Sequence, residues 1–290
     1  MSFDDRDGFI WMDGKLVPWR EANVHVLTHA LHYASSVFEG QRAYGGKIFK
    51  LRDHSERLRR SAELIGFTIP WSAEEIDAAC EEVLRANNLT DAYMRPVAWR
   101  GSESMGVNPI GTKPHLAIAA WNWGKYYPPE KAAKGIRLDI AEWRRPAPYT
   151  APVHSKASGL YMIASMSKAK ADAGGFDDAL MFDFRGQVAE ATGANAFFIR
   201  DGVIHTPKPE CFLDGITRRT LIDLARRRGI EVQERAIWPE ELESFESFFL
   251  TGSAAEVTFV QSAGPWRFEI GALQQQLAQD YDDLVNGRLA

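Results

Sequence analysis

The chain has 290 residues, 45% of them hydrophobic and 25% charged, with a formal net charge of −5. This is an ordinary soluble composition, long enough for two domains or one large one. The negative balance gives no general attraction to nucleic acid or an anionic membrane, and no run approaches the ~18 apolar residues of a membrane helix. Cys80 and Cys211 stand far apart in no C-x-x-C spacing, and the start M-S-F-D-D-R-D-G lacks an apolar signal core. The expectation is therefore a cytoplasmic protein with no disulfide framework or metal site.

In chain order, F-I-W-M-D-G-K-L-V-P-W from Phe9 sets two short apolar runs around Asp13-Gly14, a strong hairpin signal. A turn at Gly45-Gly46 leads into K-I-F-K-L. Asp53 is placed to cap a helix through Ile65, with Leu58, Ala62 and Ile65 on one face. Ser72 and Glu75 make a capping box for a helix reaching about Asn87. Two strands follow, A-Y-M-R-P-V-A-W from Ala92 and H-L-A-I-A-A-W-N-W from His115. From Gly124 to Gly135 every periodicity breaks, around Pro128-Pro129. The division read from this is a small N-terminal α/β domain over 1–124, a linker over 125–135 and a large C-terminal domain over 136–290.

The second half opens with the strand I-R-L-D-I-A-E-W, then a helix from about Gly159 to Ala173 ended by Gly174-Gly175. D-A-L-M-F-D-F and A-N-A-F-F-I-R read as strands with turns at Arg185-Gly186 and Asp201-Gly202. Helices are expected over Thr217–Arg228 and from about Gly271 to Asn286. Hairpins mix with helices and no regular strand–helix–strand repeat appears. The fold class is accordingly mixed α/β (α+β) rather than doubly wound.

The chemistry-bearing motifs gain meaning only together. Lys156 lies in V-H-S-K-A-S-G-L-Y-M, with Tyr161 five residues on. A loop lysine is most often a solvated charge, a lone glutamate a surface charge, and Tyr161 reads equally as a core aromatic. After them come E-A-T-G-A-N-A-F from Glu190, D-G-I-T-R from Asp214 and T-G-S-A-A-E from Thr251. These supply an amine, a phenol, a carboxylate, a hydroxyl at a helix start and a Gly/Ser loop, the set that pyridoxal 5′-phosphate (PLP) requires. With H-A-L-H-Y-A-S-S-V-F-E-G from His29 and A-Y-M-R-P from Ala92, the chain closely resembles the branched-chain aminotransferases of the class IV PLP enzymes. The resemblance runs from about Phe9 to the C-terminal helix. It implies the two-domain fold type IV architecture, a smaller α/β sandwich followed by a pseudo-barrel domain that carries the PLP lysine.

Residue by residue, the resemblance makes Lys156 the catalytic lysine, an amine that bonds to the cofactor, yields to substrate and then carries a proton. Glu190 would face the pyridine nitrogen and Tyr161 the ring oxygen. Arg57, Ile216, Thr217, Gly252 and Ser253 would hold the phosphate, a helix N-terminus with a hydroxyl suiting an anion. Gly193, Asn195 and Leu213 would shape the cofactor pocket. On the substrate side, Tyr93 and Arg95 alternate on a strand and share a face. The tyrosine would bind the α-carboxylate with the Ser253-Ala254-Ala255 loop, and the arginine the distal carboxylate of glutamate or 2-oxoglutarate. Tyr33, Phe38, Gly40, Met105, Val107, Trp123 and Tyr126 would form an apolar wall. Tyr33 and Val107 belong to segments that in the family cross to a neighbouring subunit, implying a homodimer or higher homo-oligomer. The implied activity is ping-pong transfer from leucine, isoleucine or valine to 2-oxoglutarate, the partners being amino acids and 2-oxo acids. D-amino-acid transaminases, (R)-amine transaminases and aminodeoxychorismate lyases share the fold. The Tyr93-x-Arg95 pair and the G-V-N-P loop favour the branched-chain reading, and the presence of both Lys156 and Glu190 argues against a catalytically silent PLP-binding protein.

Overall fold

The computed structural model describes residues 2–289. They form two compact units: the residues up to Gly124 together with Ser155–Gly159, and Lys125–His154 together with the chain from Leu160 onward.

The first unit is built on an antiparallel sheet of β1 (Phe9–Met12), β2 (Lys15–Pro18), β3 (Ser36–Phe38), β4 (Gln41–Tyr44), β5 (Lys47–Ile48), β6 (Ala92–Arg100) and β7 (Pro114–Trp121). Their order is β2-β1-β7-β6-β4-β5, with β3 also on β6. The β1–β2 hairpin turns at Asp13-Gly14, whose φ values of 49° and 93° are the left-handed ones a type I′ turn requires. Register pairs Met94 with Ala120 and Ala98 with Leu116. These residues are buried on the face packed by α2 (Leu51–Leu64) and α3 (Ala73–Ala86). Tyr93, Arg95, Trp99 and His115 therefore share the opposite face.

Two details differ from the sequence reading. Helix α2 is capped not by Asp53 but by Lys50 in a left-handed conformation (φ 52°). Asp53 sits in the first turn, where its charge suits the positive helix end and lies 3.6 Å from Lys50. A short helix α1 (His29–Tyr33) ends at Ala34 with φ 53°; no periodic signal marks it. The capping box at Ser72 and Glu75 forms as read.

The second unit carries α4 (Pro129–Lys134) inside the segment read as an irregular linker, with Pro129 at the first helical position, where a missing N–H costs nothing. Its sheet comprises β8 (Ile136–Ile140), β9 (Asp178–Phe182), β10 (Val188–Ala191), β11 (Asn195–Arg200), β12 (Val203–Pro207), β13 (Val232–Arg235), β14 (Ser247–Gly252), β15 (Glu256–Ala263) and β16 (Trp266–Arg267). The order is β10-β9-β8-β15-β14-β11-β12-β13, and β10 also pairs with β11, closing β8–β11, β14 and β15 into a ring. Ile136, Leu138, Leu180, Phe198, Phe248 and Val260 belong to one buried cluster, in which Phe198 and Phe248 stack at 4.3 Å. Burying each such ring contributes roughly 1.5–3 kcal/mol. Helices α5 (Met162–Ala173), α6 (Ile216–Arg227) and α7 (Ala272–Val285) complete the unit, α6 packing on β14 and α7.

The sequence division assigns Lys156 to the C-terminal half, whereas Ser155–Gly159 packs with the first unit. The reason is backbone pairing. Ala157 bridges to Val37, and the Phe38 N–H donates to the Lys156 carbonyl at 3.1 Å.

Candidate active site

In the first unit, Lys156 is held by its backbone from two sides. Beyond the bond from Phe38, its N–H donates to Ser61 Oγ at 3.0 Å, and the neighbouring Ser155 hydroxyl donates to the Ser61 carbonyl at 2.8 Å. Ser61 is fully buried on α2, so the backbone of the half-buried lysine is fixed to a helix. Its Nζ lies 5.1 Å from the centre of the Phe38 ring.

Next to it is a buried charge cluster. Arg57 forks onto Glu39, Nε to Oε1 at 2.7 Å and Nη2 to Oε2 at 2.9 Å, and His54 Nδ1 lies 2.6 Å from Glu39 Oε2. Glu39 has no solvent exposure. Burial opposes its ionisation, but the Arg57 charge and the His54 contact prevail and hold the carboxyl well below the usual range. His54 is shifted down by burial, with Arg57 and Lys156 acting in the same direction against the pull of Glu39. Glu39 thereby fixes the guanidinium that the sequence reading assigns to the phosphate.

Tyr93 and Arg95 meet as the strand alternation requires: Arg95 Nη2 donates to the Tyr93 hydroxyl at 2.9 Å. The guanidinium lies 4.7 Å over the Phe38 ring, and its Nε is buried with no hydrogen-bond partner among the described residues. Tyr93 is packed by Trp121 at 5.2 Å and edge-on by Trp123 at 4.7 Å. Gly40 makes room for it, since a β-carbon there would lie 2.2 Å from the Tyr93 hydroxyl. Arg95 also borders a cavity of about 350 Å³ lined by Ile10, Met12, Val97, Ala117 and Ala119, residues outside the expected apolar wall. Tyr33, Met105 and Val107 are exposed, Val107 to 80%.

In the second unit, Glu190 pairs with Asn195 in the β10–β11 hairpin. Asn195 Nδ2 donates to Glu190 Oε2 at 3.2 Å and to the Leu213 carbonyl at 3.0 Å, joining the carboxylate to the turn before α6. Arg145 places Nε 3.3 Å from Glu190 Oε1, favouring the ionised carboxylate. The α6 N-terminus begins at Gly215 with no side-chain cap, and Thr217 is buried in its first turn. A β-carbon at Gly215 would lie 2.2 Å from Asn195 Oδ1, so glycine allows that close approach. Arg218, 1% exposed, pins the turn through Asp214, Glu234 and the Pro207 carbonyl. Thr251 pairs with Asn195 in the sheet, and Gly252 lies within contact of Gly193 and Ala194, bringing the start of the Ser253–Ala255 turn to the same hairpin. Thr251 Oγ1 is buried without a hydrogen-bond partner among the described residues. Tyr161 caps α5 and packs on the cluster around Ala164. Tyr126 is exposed and lies edge-on to Tyr127. Gly193 faces open space, and nothing in the structure requires a glycine there.

A carboxylate linked through Asn195 to the turn before an uncapped helix N-terminus, with buried hydroxyls nearby, offers an acceptor for a protonated ring nitrogen and donors for a phosphate. The sequence model for amino-transferase class IV matches residues 36–263. This chain belongs to that family. Among its relatives, the branched-chain-amino-acid aminotransferase of Pseudomonas aeruginosa is 42% identical over 295 residues, covering 99% of this chain and 96% of the relative. The branched-chain aminotransferase of Thermoproteus uzoniensis, solved with norvaline, superposes with a TM-score of 0.93 at 39% identity, covering 98% and 96% of the two chains. The PLP form of the Thermobaculum terrenum branched-chain amino acid aminotransferase gives 0.89 at 29% identity over 97% and 95%.

Sequence reading missed several residues that surround the assigned ones in this class IV aminotransferase. Arg145, Glu39, His54 and Ser61 act through partners far along the chain, whereas Arg218, inside D-G-I-T-R, pairs with Asp214 four positions before it as well as with the distant Glu234. Two signals were available: Glu39, a charge inside the apolar run S-V-F-E-G, and the four-residue spacing of Asp214 and Arg218.

Proposed function

We propose that this class IV aminotransferase uses PLP to move the amino group of leucine, isoleucine or valine to 2-oxoglutarate by a ping-pong route. When bound, PLP supplies the electron sink that allows a proton to leave the amino-acid α-carbon. The chain supplies the rest. Lys156, with its backbone anchored by Ser61 and Phe38, is the amine that holds the cofactor and then carries the proton. Glu190, paired with Arg145, is the carboxylate that would hold a proton on the pyridine nitrogen. Arg57, Ile216, Thr217, the α6 N-terminus, Gly252 and Ser253 are assigned to the phosphate, and Tyr161, Gly193, Asn195 and Leu213 to the cofactor's ring and flanks.

The observation that carries the choice of substrate is Arg95. It is a guanidinium stacked on Phe38, hydrogen-bonded to Tyr93 and left with an unpartnered buried Nε. An apolar wall with one reachable guanidinium accepts an aliphatic chain in one half-reaction and a distal carboxylate in the other. Tyr33, Gly40, Met105, Val107, Trp123, Tyr126, Ala254 and Ala255 are the remaining substrate assignments. A homodimer is supported by exposed Val24, Val26, Leu27 and Leu31, apolar surface that a second copy would cover. Cytoplasmic location rests on the sequence composition; among the described residues no helix is long and apolar enough to cross a membrane. The test is transamination of leucine with 2-oxoglutarate beside D-alanine and aminodeoxychorismate. Turnover of leucine supports the reading, and turnover of only one of the others refutes it.

A further inference from the structure

One charged cluster lies outside the residues used so far. His115 Nδ1 is 2.6 Å from Asp13 Oδ2, and its Nε2 is 3.0 Å from Glu103 Oε1. The ring stacks at 5.4 Å and 20° on Trp99, its cross-strand neighbour. The three groups come from different places: Asp13 from the β1–β2 turn, His115 from β7, and Glu103 from the 101–113 loop between β6 and β7. Each carboxylate also accepts a backbone N–H, Asp13 from Leu116 at 2.9 Å and Glu103 from Lys113 at 2.8 Å. Glu103 thus folds across the base of its own loop. Gly101 leaves the space for this, since a β-carbon there would lie 2.4 Å from His115 Nε2 and 2.7 Å from the Glu103 carboxylate. At the other side, His29 Nε2 lies 3.0 Å from the Gly106 carbonyl, and the His29 N–H donates to the Gly101 carbonyl at 2.9 Å. The loop is held at its base by this clamp and at the Gly106 carbonyl by His29, while the side chains of Met105, Val107 and Ile110 are exposed and apolar.

We propose that His115, clamped between Asp13 and Glu103, is a proton-dependent positioning residue that ties the 101–113 loop to the first unit's sheet and so sets the grip of its Met105–Val107 tip on an aliphatic substrate. This rests on the assignment of Met105 and Val107 to the substrate wall. The imidazolium form donates from both nitrogens, one to each carboxylate. The neutral ring has one donor and one lone pair, so one carboxylate is left facing a lone pair and the clamp opens on that side. The charged groups facing the ring are Asp13 and Glu103. Arg100, on the neighbouring strand, turns its guanidinium to Thr112 and to the Gly66 carbonyl, and Lys113 offers its backbone. Burial opposes protonation of His115, but the two carboxylates outweigh it and raise the group above the ordinary histidine value. The sign follows: the clamp is fully present below the ordinary histidine range and is lost as pH rises through the raised value.

Two measurements on PLP-loaded enzyme decide it: amide hydrogen exchange across residues 101–113, each rate divided by the intrinsic base-catalysed rate at that pH so that it reports loop opening, and KM and kcat for leucine, both against pH for wild type, His115→Gln and Glu103→Gln. In wild type, loop exchange and KM rise together with pH while kcat changes little. A charge-assisted bridge of ~1.5 kcal/mol corresponds to a rise in KM of about tenfold. In His115→Gln both are flat with pH, with KM near the wild-type high-pH value, and in Glu103→Gln the midpoint moves to lower pH. Loop exchange that ignores pH in wild type overturns the clamp. Exchange that titrates with an unmoved KM overturns its link to substrate, and with it the placing of Met105 and Val107 on the wall, while leucine turnover still stands as support for the aminotransferase reading. An enzyme that does not turn over leucine fails that reading instead, and the exchange profile alone still decides the clamp.

Discussion

Replacing Arg95 by leucine separates the two halves of the proposed reaction. The guanidinium donates a hydrogen bond to the Tyr93 hydroxyl and stacks on Phe38, while its buried Nε has no hydrogen-bond partner among the described residues. A distal carboxylate reaching the partly exposed guanidinium gains a charge-assisted bond in a partly desolvated place. Loss of such a partner costs ~2–4 kcal/mol, or roughly 30- to 800-fold in the glutamate/2-oxoglutarate half-reaction. In the leucine half-reaction the substitution removes only the Tyr93 bond and the ring stack, about 0.5–1.5 kcal/mol, part of it restored by the leucine side chain. The assay is single-turnover kinetics of each half-reaction at saturating PLP, with isothermal binding of the two oxo acids as a check. Equal losses in both halves would refute the reasoning, because Arg95 would then be structural or act on the α-carboxylate common to both substrates.

Three further outcomes are expected. Lys156→Ala loses essentially all turnover and the visible absorbance of bound cofactor yet keeps its circular dichroism, because Ser61 and Phe38 hold the backbone of this residue; normal leucine turnover would exclude its role. Glu190→Gln retains PLP but lowers the rate of both half-reactions more than it lowers cofactor affinity, read by single turnover beside PLP titration. Glu39→Gln leaves Arg57 and His54 without their buried anion and lowers unfolding free energy by about 3–5 kcal/mol at neutral pH. Since Glu39 is shifted downward, its contribution is present above the ordinary carboxylate range and fades as pH falls, so denaturant unfolding at pH 7 and pH 3 should separate wild type from variant less at the lower pH.

The parts of the molecule that were legible in the sequence are those written locally. Asp13-Gly14 announces its left-handed turn, Ser72 and Glu75 their reciprocal cap, and alternation places Tyr93 and Arg95 on one face. Asp53 misled because it has the chemistry of a cap, while Lys50 provides the left-handed entry to α2 from a residue with no capping signature. The supporting charges were illegible for a different reason. Arg145 meets Glu190 across 45 positions and Glu39 meets Arg57 across 18, and no period of 2 or 3.6 encodes such a pairing. The grouping of Lys156 with the first unit depends on Ser61, 95 positions away, and the chain order around the lysine gives no hint of it.

The ring of strands in the second unit is joined on one side by a hairpin in which a single registered pair, Glu190 with Asn195, lies between β10 and β11. A sheet closed on itself offers no row of open N–H and C=O groups to a stray strand. The residue that would hold the pyridine nitrogen is therefore also part of the seam that keeps the ring shut. Its carboxylate is tied to the partner strand by the Asn195 amide, and a lesion that parted the seam would be felt twice, once as lost chemistry and once as a new surface for self-association.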